Sequence, residues 1–447
     1  MMTKSTPHIL LINPWIHDFA AYDFWAKPMG LLTIAGILRT HGIRLSYIDC
    51  LNRFHPQAPK TDASARYGRG PYLKTPISKP IGLHDLPRRY SRYGIKPQWF
   101  NADLLKLDPP DLVLVTSLMT YWYPGLQETI AAIRSVFPQT PILLGGIYAR
   151  LCTDHARRHA GADYVAVEPA EHNIISLVQK FTSFPATATF DPDDLDSYPY
   201  PALDLQTTIN YIPLLTTRGC PFNCAYCASH FLEPQHMRRS PESVIEEIKY
   251  WHRNYRIDDF VLYDDAFLVD AERHAVPILE GICSSGLNVR FHTPNALHIR
   301  EINAKTARLM YKAGFTTLRL GLETAEFDER QELDGKVSEG EFKRAVNCLI
   351  DAGFGKEQVG AYLLVGLPDQ KISAVEHSIK TVIDSDITPV PAYYTPIPHT
   401  TLWPKAVAAS RYDITSDPIF TNNAIMPCSQ QPFSWKMISR LKEMAAG

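Results

Sequence analysis

Three cysteines, Cys220, Cys224 and Cys227, fall within eight residues in the stretch Arg218-Gly-Cys-Pro-Phe-Asn-Cys-Ala-Tyr-Cys-Ala-Ser229. This Cys-x3-Cys-x2-Cys spacing brings three soft thiolates into one tight loop, and such ligands select zinc or an iron–sulfur cluster. No fourth cysteine or histidine follows at the spacing that closes a structural zinc site. Three thiolates on a four-iron cluster leave one iron open to a substrate or cofactor. The plain alternative is a turn carrying core cysteines, and the density of thiols in so short a segment argues against it.

The loop needs a rigid support, and the residues around it supply one. It follows an apolar strand, Tyr211 to Thr216, after which strand-plus-helix units of about thirty residues recur, the size of a βα crossover unit. Further strands are expected at Asp259 to Tyr263, Val289 to His292, Thr317 to Gly321, Gly360 to Val365 and Val390 to Tyr394. Between them, Ser240 and Pro241 begin a helix whose Val244, Ile245, Ile248 and Trp251 share one face. Gly286, Gly314 and Gly353 stop later helices. Six such units make three quarters of a (β/α)8 barrel, in which chemistry gathers at the carboxyl ends of the strands. Polar residues recur at those ends: Asp264-Asp265, His292-Thr-Pro-Asn295, Glu323-Thr324, Gly366-Leu-Pro-Asp369 and Tyr394 to Pro398.

The first half alternates differently. Apolar strands at His8 to Asn13, Arg44 to Asp49, Asp111 to Thr116 and Pro141 to Gly145 are separated by helices at Gly30 to Thr40 and Gly125 to Phe137, with a short one at Asp154 to Ala160. Short continuous apolar strands with helices between them predict an α/β fold, here a doubly wound parallel sheet. Ligands on such sheets bind beyond the carboxyl ends of the strands. Those ends are Asn13-Pro14-Trp15, Thr116-Ser117-Leu118 and Gly145-Gly146; a glycine pair by itself equally suits a plain strand-to-helix turn. His17 is read as a surface or cleft histidine.

Between the second and third strands, residues 53–101 hold ten lysines and arginines against two acids, Asp62 and Asp85, with Tyr67, Tyr72, Tyr90 and Tyr93 interleaved. A loop this long is functional or disordered. Two readings stand: a lid presenting cations to an anionic group, and a solvated basic loop. No RNA-binding signature accompanies it. A proline- and aspartate-rich linker follows the first half. The tail ends in a helix from Ser434 to Ala446, and Cys428 ahead of that helix is a buried core thiol, a substrate-facing one or a fourth ligand. The expected division is 1–183, with the basic insertion 53–101; linker 184–208; barrel 209–400; and C-terminal extension 401–447.

The 447 residues carry a net charge of -2, which gives no global attraction to nucleic acid. No apolar run approaches the roughly 18 residues of a membrane span, and Met1 to Pro7 lacks the build of a signal peptide. The other cysteines are scattered singly, unlike a disulfide framework, which fits a reducing compartment and a cytoplasmic location.

The cysteine motif, with the aromatic Tyr226 just before its last cysteine, resembles the signature of the radical S-adenosylmethionine (SAM) superfamily. The resemblance implies that Cys220, Cys224 and Cys227 hold a four-iron four-sulfur cluster whose open iron chelates SAM. The reduced cluster then cleaves SAM to a 5'-deoxyadenosyl radical. By the same resemblance Tyr226, Asp265, Asn295, Glu323 and Gly366 serve SAM, although Ala296 stands where the family's Pro-Asn-Gly has glycine. The first half resembles the cobalamin-binding domain that precedes many such barrels, with Pro28, Gly30, Ser117, Gly145 and Gly146 at the corrin and its tail. It lacks the Asp-x-His-x-x-Gly that supplies a cobalt ligand. Reductive SAM cleavage followed by cobalamin-assisted methyl transfer to an unactivated atom of a small or natural-product-like substrate is the activity this implies. An electron donor such as flavodoxin or ferredoxin would be its partner. A cobalamin-free oxidoreductase, cyclase or rearrangement catalyst is the alternative, and a non-catalytic metal or nucleic-acid binding protein is a remoter one.

Overall fold

The computed structural model describes residues 6–328, 330–429 and 434–446. Most of the Met1 to Pro7 segment, and part of the 401–447 tail, lie outside the described residues. Two compact units are formed, Met1–Asn210 with Asp417–Ile419, and Tyr211–Ser416 with Phe420–Gly447.

In the first unit, β1 (His8–Asn13), β2 (Arg44–Asp49), β3 (Leu112–Val115), β4 (Ile142–Leu144) and β5 (Tyr164–Val165) make one parallel sheet in the order β2-β1-β3-β4-β5. Successive side chains on a strand point to opposite faces, and here both faces are apolar. Leu10, Ile12, Val113 and Val115 enter one buried cluster with Leu126, Ile130 and Ile133 of the helix Tyr123–Val136. Ile9, Leu11, Leu112 and Leu114 enter another with Leu31, Ile34, Ile37 and Leu38 of the helix Met29–Thr40. Full burial of each such side chain is worth about 1.5–3 kcal/mol, which explains why the strands read as unbroken apolar runs. The strand order reverses direction between β1 and β3, so the ligand crevice expected of such a sheet opens at their ends. Sequence reading missed the two-residue β5 and the helix Ala170–Thr182 that follows it.

The segment 53–101, read as a loop, is folded. Ser91–Tyr93 pairs antiparallel with Ile16–Asp18 on one side and Lys74–Pro76 on the other, and Pro97–Leu104 is a helix. Tyr72 and Tyr93 pack with Ile16 and Leu51, and the Tyr90 hydroxyl donates to the His17 carbonyl at 3.1 Å. Two of its cations are engaged as well: buried Arg53 lies 3.1 Å from Asp23, and Arg92 pairs with Glu128. His17, expected at the surface or in a cleft, is buried with its Nε2 2.7 Å from Glu128. The proline-rich linker packs as well, since Ala202 and Leu203 are buried and the Ala202 amide donates to Leu32 at 2.9 Å.

In the second unit, β6 (Ile212–Leu214), β7 (Asp259–Leu262), β8 (Arg290–His292), β9 (Phe315–Glu323), β10 (Val359–Val365) and β11 (Thr388–Tyr393) lie side by side in chain order, all parallel. This is the partial (β/α)6 barrel expected from the sequence. The helix Pro241–Tyr255 starts as the sequence implied, with the Ser240 side chain accepting from the Ser243 amide, and it buries Val244, Ile248 and Trp251. Because every strand is parallel, every carboxyl end reaches the same rim, and the loops that carry the polar residues collect there.

Candidate active site

The cysteine loop is held at both ends. Thr217–Arg218 pairs antiparallel with Met237–Arg238 across its base. Gly219 sits at φ +77, and a Cβ there would fall 2.3 Å from the Gln235 carbonyl oxygen, so only glycine fits. On the strand side, Asp264 Oδ1 accepts from the hydroxyls of Thr216 at 2.6 Å and Thr217 at 2.9 Å, from the Thr216 amide at 2.9 Å, and from the Thr217 amide. Burial pushes the Asp264 carboxyl up to about 6 against these donors. Within the loop, the Ala225 amide donates to Leu333 at 2.8 Å, and Cys227 Sγ accepts from the Ser229 amide at 3.4 Å.

All three cysteines line a cavity of about 300 Å³, together with Tyr226, Asp265, Asn295 and Glu323. Asp265 accepts from the Ser229 hydroxyl at 2.9 Å, and Asn295 donates to the Tyr263 carbonyl at 2.8 Å. Glu323 stands where the β9–β10 register shifts, in left-handed backbone at φ +63. A non-glycine residue held there is strained, and such strain collects at functional positions. It accepts a hydrogen bond from Tyr226; burial pushes the Glu323 carboxyl up to about 7 and the Tyr226 phenol well above its ordinary range. Gly366 ends β10 at φ +88, outside the residues lining this cavity. Cys428 is buried in an apolar cluster with Leu367 and Tyr394, its Sγ 3.5 Å from the Ala406 carbonyl oxygen.

Two cavity residues escaped the sequence reading. Lys336 comes from the polar loop after β9; burial works against its charge, but Cys224, Glu323 and Asp334 attract it and hold its ammonium above the ordinary lysine range. His298 lies three residues beyond Asn295, with its Nε2 3.9 Å from Cys220 Sγ, and burial pushes it down to about 3. Neither stands at a strand end, so the rule that picked out Asp265 and Glu323 passed over both. The loop bearing Lys336 is braced by Arg330, which meets Asp334 at 3.0 and 2.8 Å with both side chains buried.

Among the described residues no three His, Cys, Asp or Glu side chains are gathered to hold a metal ion. The three thiols line one cavity with no fourth cysteine among its lining residues, which suits a cluster that offers each thiolate its own iron and leaves one iron open. Burial pushes the Cys220 thiol up to about 11, so in the metal-free protein it keeps a proton that iron would displace. The donor set therefore fits an iron–sulfur cluster.

In the first unit, the Ser117 hydroxyl donates to the Gly145 carbonyl at 2.7 Å, and the Ile147 amide donates to the Ser117 carbonyl at 2.9 Å. Gly146 lies at φ +92, and a Cβ on it would fall 2.2 Å from the Ser117 carbonyl oxygen. Ser117, Gly145 and Gly146 are thus joined beyond β3 and β4, with open space where a Gly145 side chain would be. Pro28 caps the helix Met29–Thr40, and Gly30 is exposed in its first turn.

Residues 214–382 match the Radical SAM superfamily, and the chain carries a radical SAM domain there. Among curated proteins, an uncharacterized methyltransferase of Pyrococcus horikoshii is 30% identical over 224 residues, 48% of each chain. The cytidylyl-2-hydroxyethylphosphonate methyltransferase of Streptomyces wedmorensis is 21% identical over 72% of this chain and 66% of its own. The chain thus spans about half to two thirds of the length of these curated relatives. Among solved structures, the radical SAM methyltransferase TsrM from Kitasatospora setae, with cobalamin and a 4Fe-4S cluster bound, matches with a TM-score of 0.66 at 14% identity. That match covers 91% of this chain and 79% of TsrM. The cobalamin-dependent SAM radical enzyme OxsB, with aqua-cobalamin and SAM bound, matches with a TM-score of 0.60 at 12% identity, covering 90% and 55%. These two likenesses establish the fold: a unit built on a five-stranded parallel sheet, followed by a partial (β/α)6 barrel.

Proposed function

We propose that this protein is a radical SAM enzyme that transfers a methyl group, with cobalamin as its second cofactor, to an unactivated atom of a small molecule. The observation that carries the proposal is the single cavity shared by Cys220, Cys224 and Cys227 with Tyr226, Glu323 and Lys336. When bound, the cluster supplies the electron that cleaves SAM. The chain's own residues do the rest of the positioning. Lys336 offers a cation to a carboxylate, Glu323 and Asp265 offer acceptors to an ammonium or ribose hydroxyls, and Tyr226 offers an aromatic edge for an adenine. In the first unit, Ser117, Gly145 and Gly146 would receive the corrin, with Pro28 and Gly30 at the helix start beside β1. Flavodoxin or ferredoxin would deliver the electron, and a reducing, cytoplasmic location would keep the three cysteines available to the cluster.

The test is to reconstitute the purified protein without oxygen, incubate it with hydroxocobalamin, desalt it, and add SAM with reductant. Retained corrin bands together with S-adenosylhomocysteine are the expected result. A cluster spectrum without corrin would move the assignment to a cobalamin-free radical SAM oxidoreductase or rearrangement enzyme.

A further inference from the structure

We infer that His298 donates an Nε2–H hydrogen bond to the sulfur of Cys220 and thereby sets the reduction potential of the cluster that Cys220 helps to hold. This rests on the functional reading above and adds to it a residue that sequence reasoning had not assigned. His298 is 8% exposed, and its Nε2 stands 3.9 Å from Cys220 Sγ. Its other ring nitrogen, Nδ1, is buried with no hydrogen-bond partner among the described residues. A neutral imidazole has one N–H, and among the described residues the sulfur is the one acceptor that either nitrogen meets, so the proton belongs on Nε2.

The ring is also held in place. Phe222, two residues after Cys220, covers it at 4.7 Å between centroids with an interplanar angle of 31°. The preceding residue is tied to β9 by the Leu297 amide, which donates to the Arg319 carbonyl at 2.7 Å. A donor on a rigid segment, aimed at a ligating sulfur, favours the more negative, reduced state of a cluster and raises its potential. Lys336 plays a comparable part at Cys224 as a charged donor, but it also faces Glu323; among the described residues His298 has no second hydrogen-bond partner.

The experiment is an anaerobic redox titration of the SAM-free cluster, followed by electron paramagnetic resonance, with iron and sulfide counted in each sample. His298→Phe keeps an aromatic ring and removes the donor, whereas His298→Gln returns an N–H at nearly the reach of Nε2. The Phe variant is expected to show a one-electron reduction constant about tenfold smaller, equivalent to about 59 mV, with the Gln variant close to the wild type. An unchanged potential in His298→Phe, or a Gln variant shifted as far as Phe, overturns the inference while leaving the functional reading intact. Absence of any cluster from the wild type overturns both. Should His298→Phe fail to hold a cluster, pulsed resonance on wild-type protein labelled with 15N-histidine decides. One weakly coupled histidine nitrogen is expected; none, or a strong coupling that signals direct iron ligation, contradicts the inference.

Discussion

The Asp264 carboxylate receives the Thr216 hydroxyl at 2.6 Å, and that contact ties the end of the first barrel strand to the end of the second just before the cysteine loop begins. On sequence grounds Asp264 is one of the polar residues at the strand ends where chemistry gathers. Its four donors from Thr216 and Thr217 make it instead the anchor of the loop that bears the ligands.

Burial raises this carboxyl from 3.8 to about 6 in the folded chain. The folded state therefore keeps a proton that the unfolded state releases between those values. The contribution of Asp264 favours folding most below pH 3.8 and is lost as pH rises through 6. In chemical unfolding of the cluster-free protein, wild type minus Asp264→Asn stability is expected to fall by about 1.5 kcal/mol from pH 5 to pH 8. A difference that stays flat with pH would contradict the raised carboxyl.

Arg330 and Asp334 form a buried ion pair, with side-chain exposures of 2% and 0%. Arg330→Met leaves the Asp334 carboxylate buried without its partner, and the expected loss is about 3–5 kcal/mol in unfolding free energy. Adding Asp334→Leu should return most of that loss, because the uncompensated charge is gone. If the single variant unfolds like the wild type, the pair does not brace the Lys336 loop as described.

The neighbouring glycines of the first unit separate structure from ligand contact. Gly146→Ala puts a Cβ against the Ser117 carbonyl oxygen at a φ of +92 and is expected to cost about 1–3 kcal/mol of stability. Gly145→Ala meets open space and should leave the unfolding midpoint within about 0.5 kcal/mol of wild type while reducing corrin retention. Full retention of corrin by Gly145→Ala would remove Gly145 from the proposed cobalamin site.

Much of this architecture was legible because its signals are local. The runs His8 to Asn13 and Val359 to Val365 are apolar on both faces, which only a doubly covered parallel strand requires. Three cysteines in one loop advertise themselves, and Glu323 was found by counting along a strand to its end. What escaped depends on tertiary contact. The interleaved tyrosines and cations of 53–101 suit either a cation-presenting lid or a solvated basic loop, yet Tyr72 and Tyr93 find Ile16, and Arg53 finds Asp23 thirty residues earlier. Lys336 and His298 sit in connecting segments whose course no periodicity predicts, so their meeting with Cys224 and Cys220 emerges only from the fold. The strand Tyr164–Val165 is two residues long, too short for any alternation to register.

The most direct test of the central claim is the iron, sulfide and 5'-deoxyadenosine yield of anaerobically reconstituted protein, compared with Cys220→Ala, Cys224→Ala and Cys227→Ala. Four irons and four sulfides per chain are predicted for the wild type, with 5'-deoxyadenosine formed from SAM on reduction. Each variant is expected to lose both, while far-ultraviolet circular dichroism stays near that of the wild type. A variant that still cleaves SAM, or a wild type that binds zinc in place of iron and leaves SAM intact, would contradict the account from Cys220 onward.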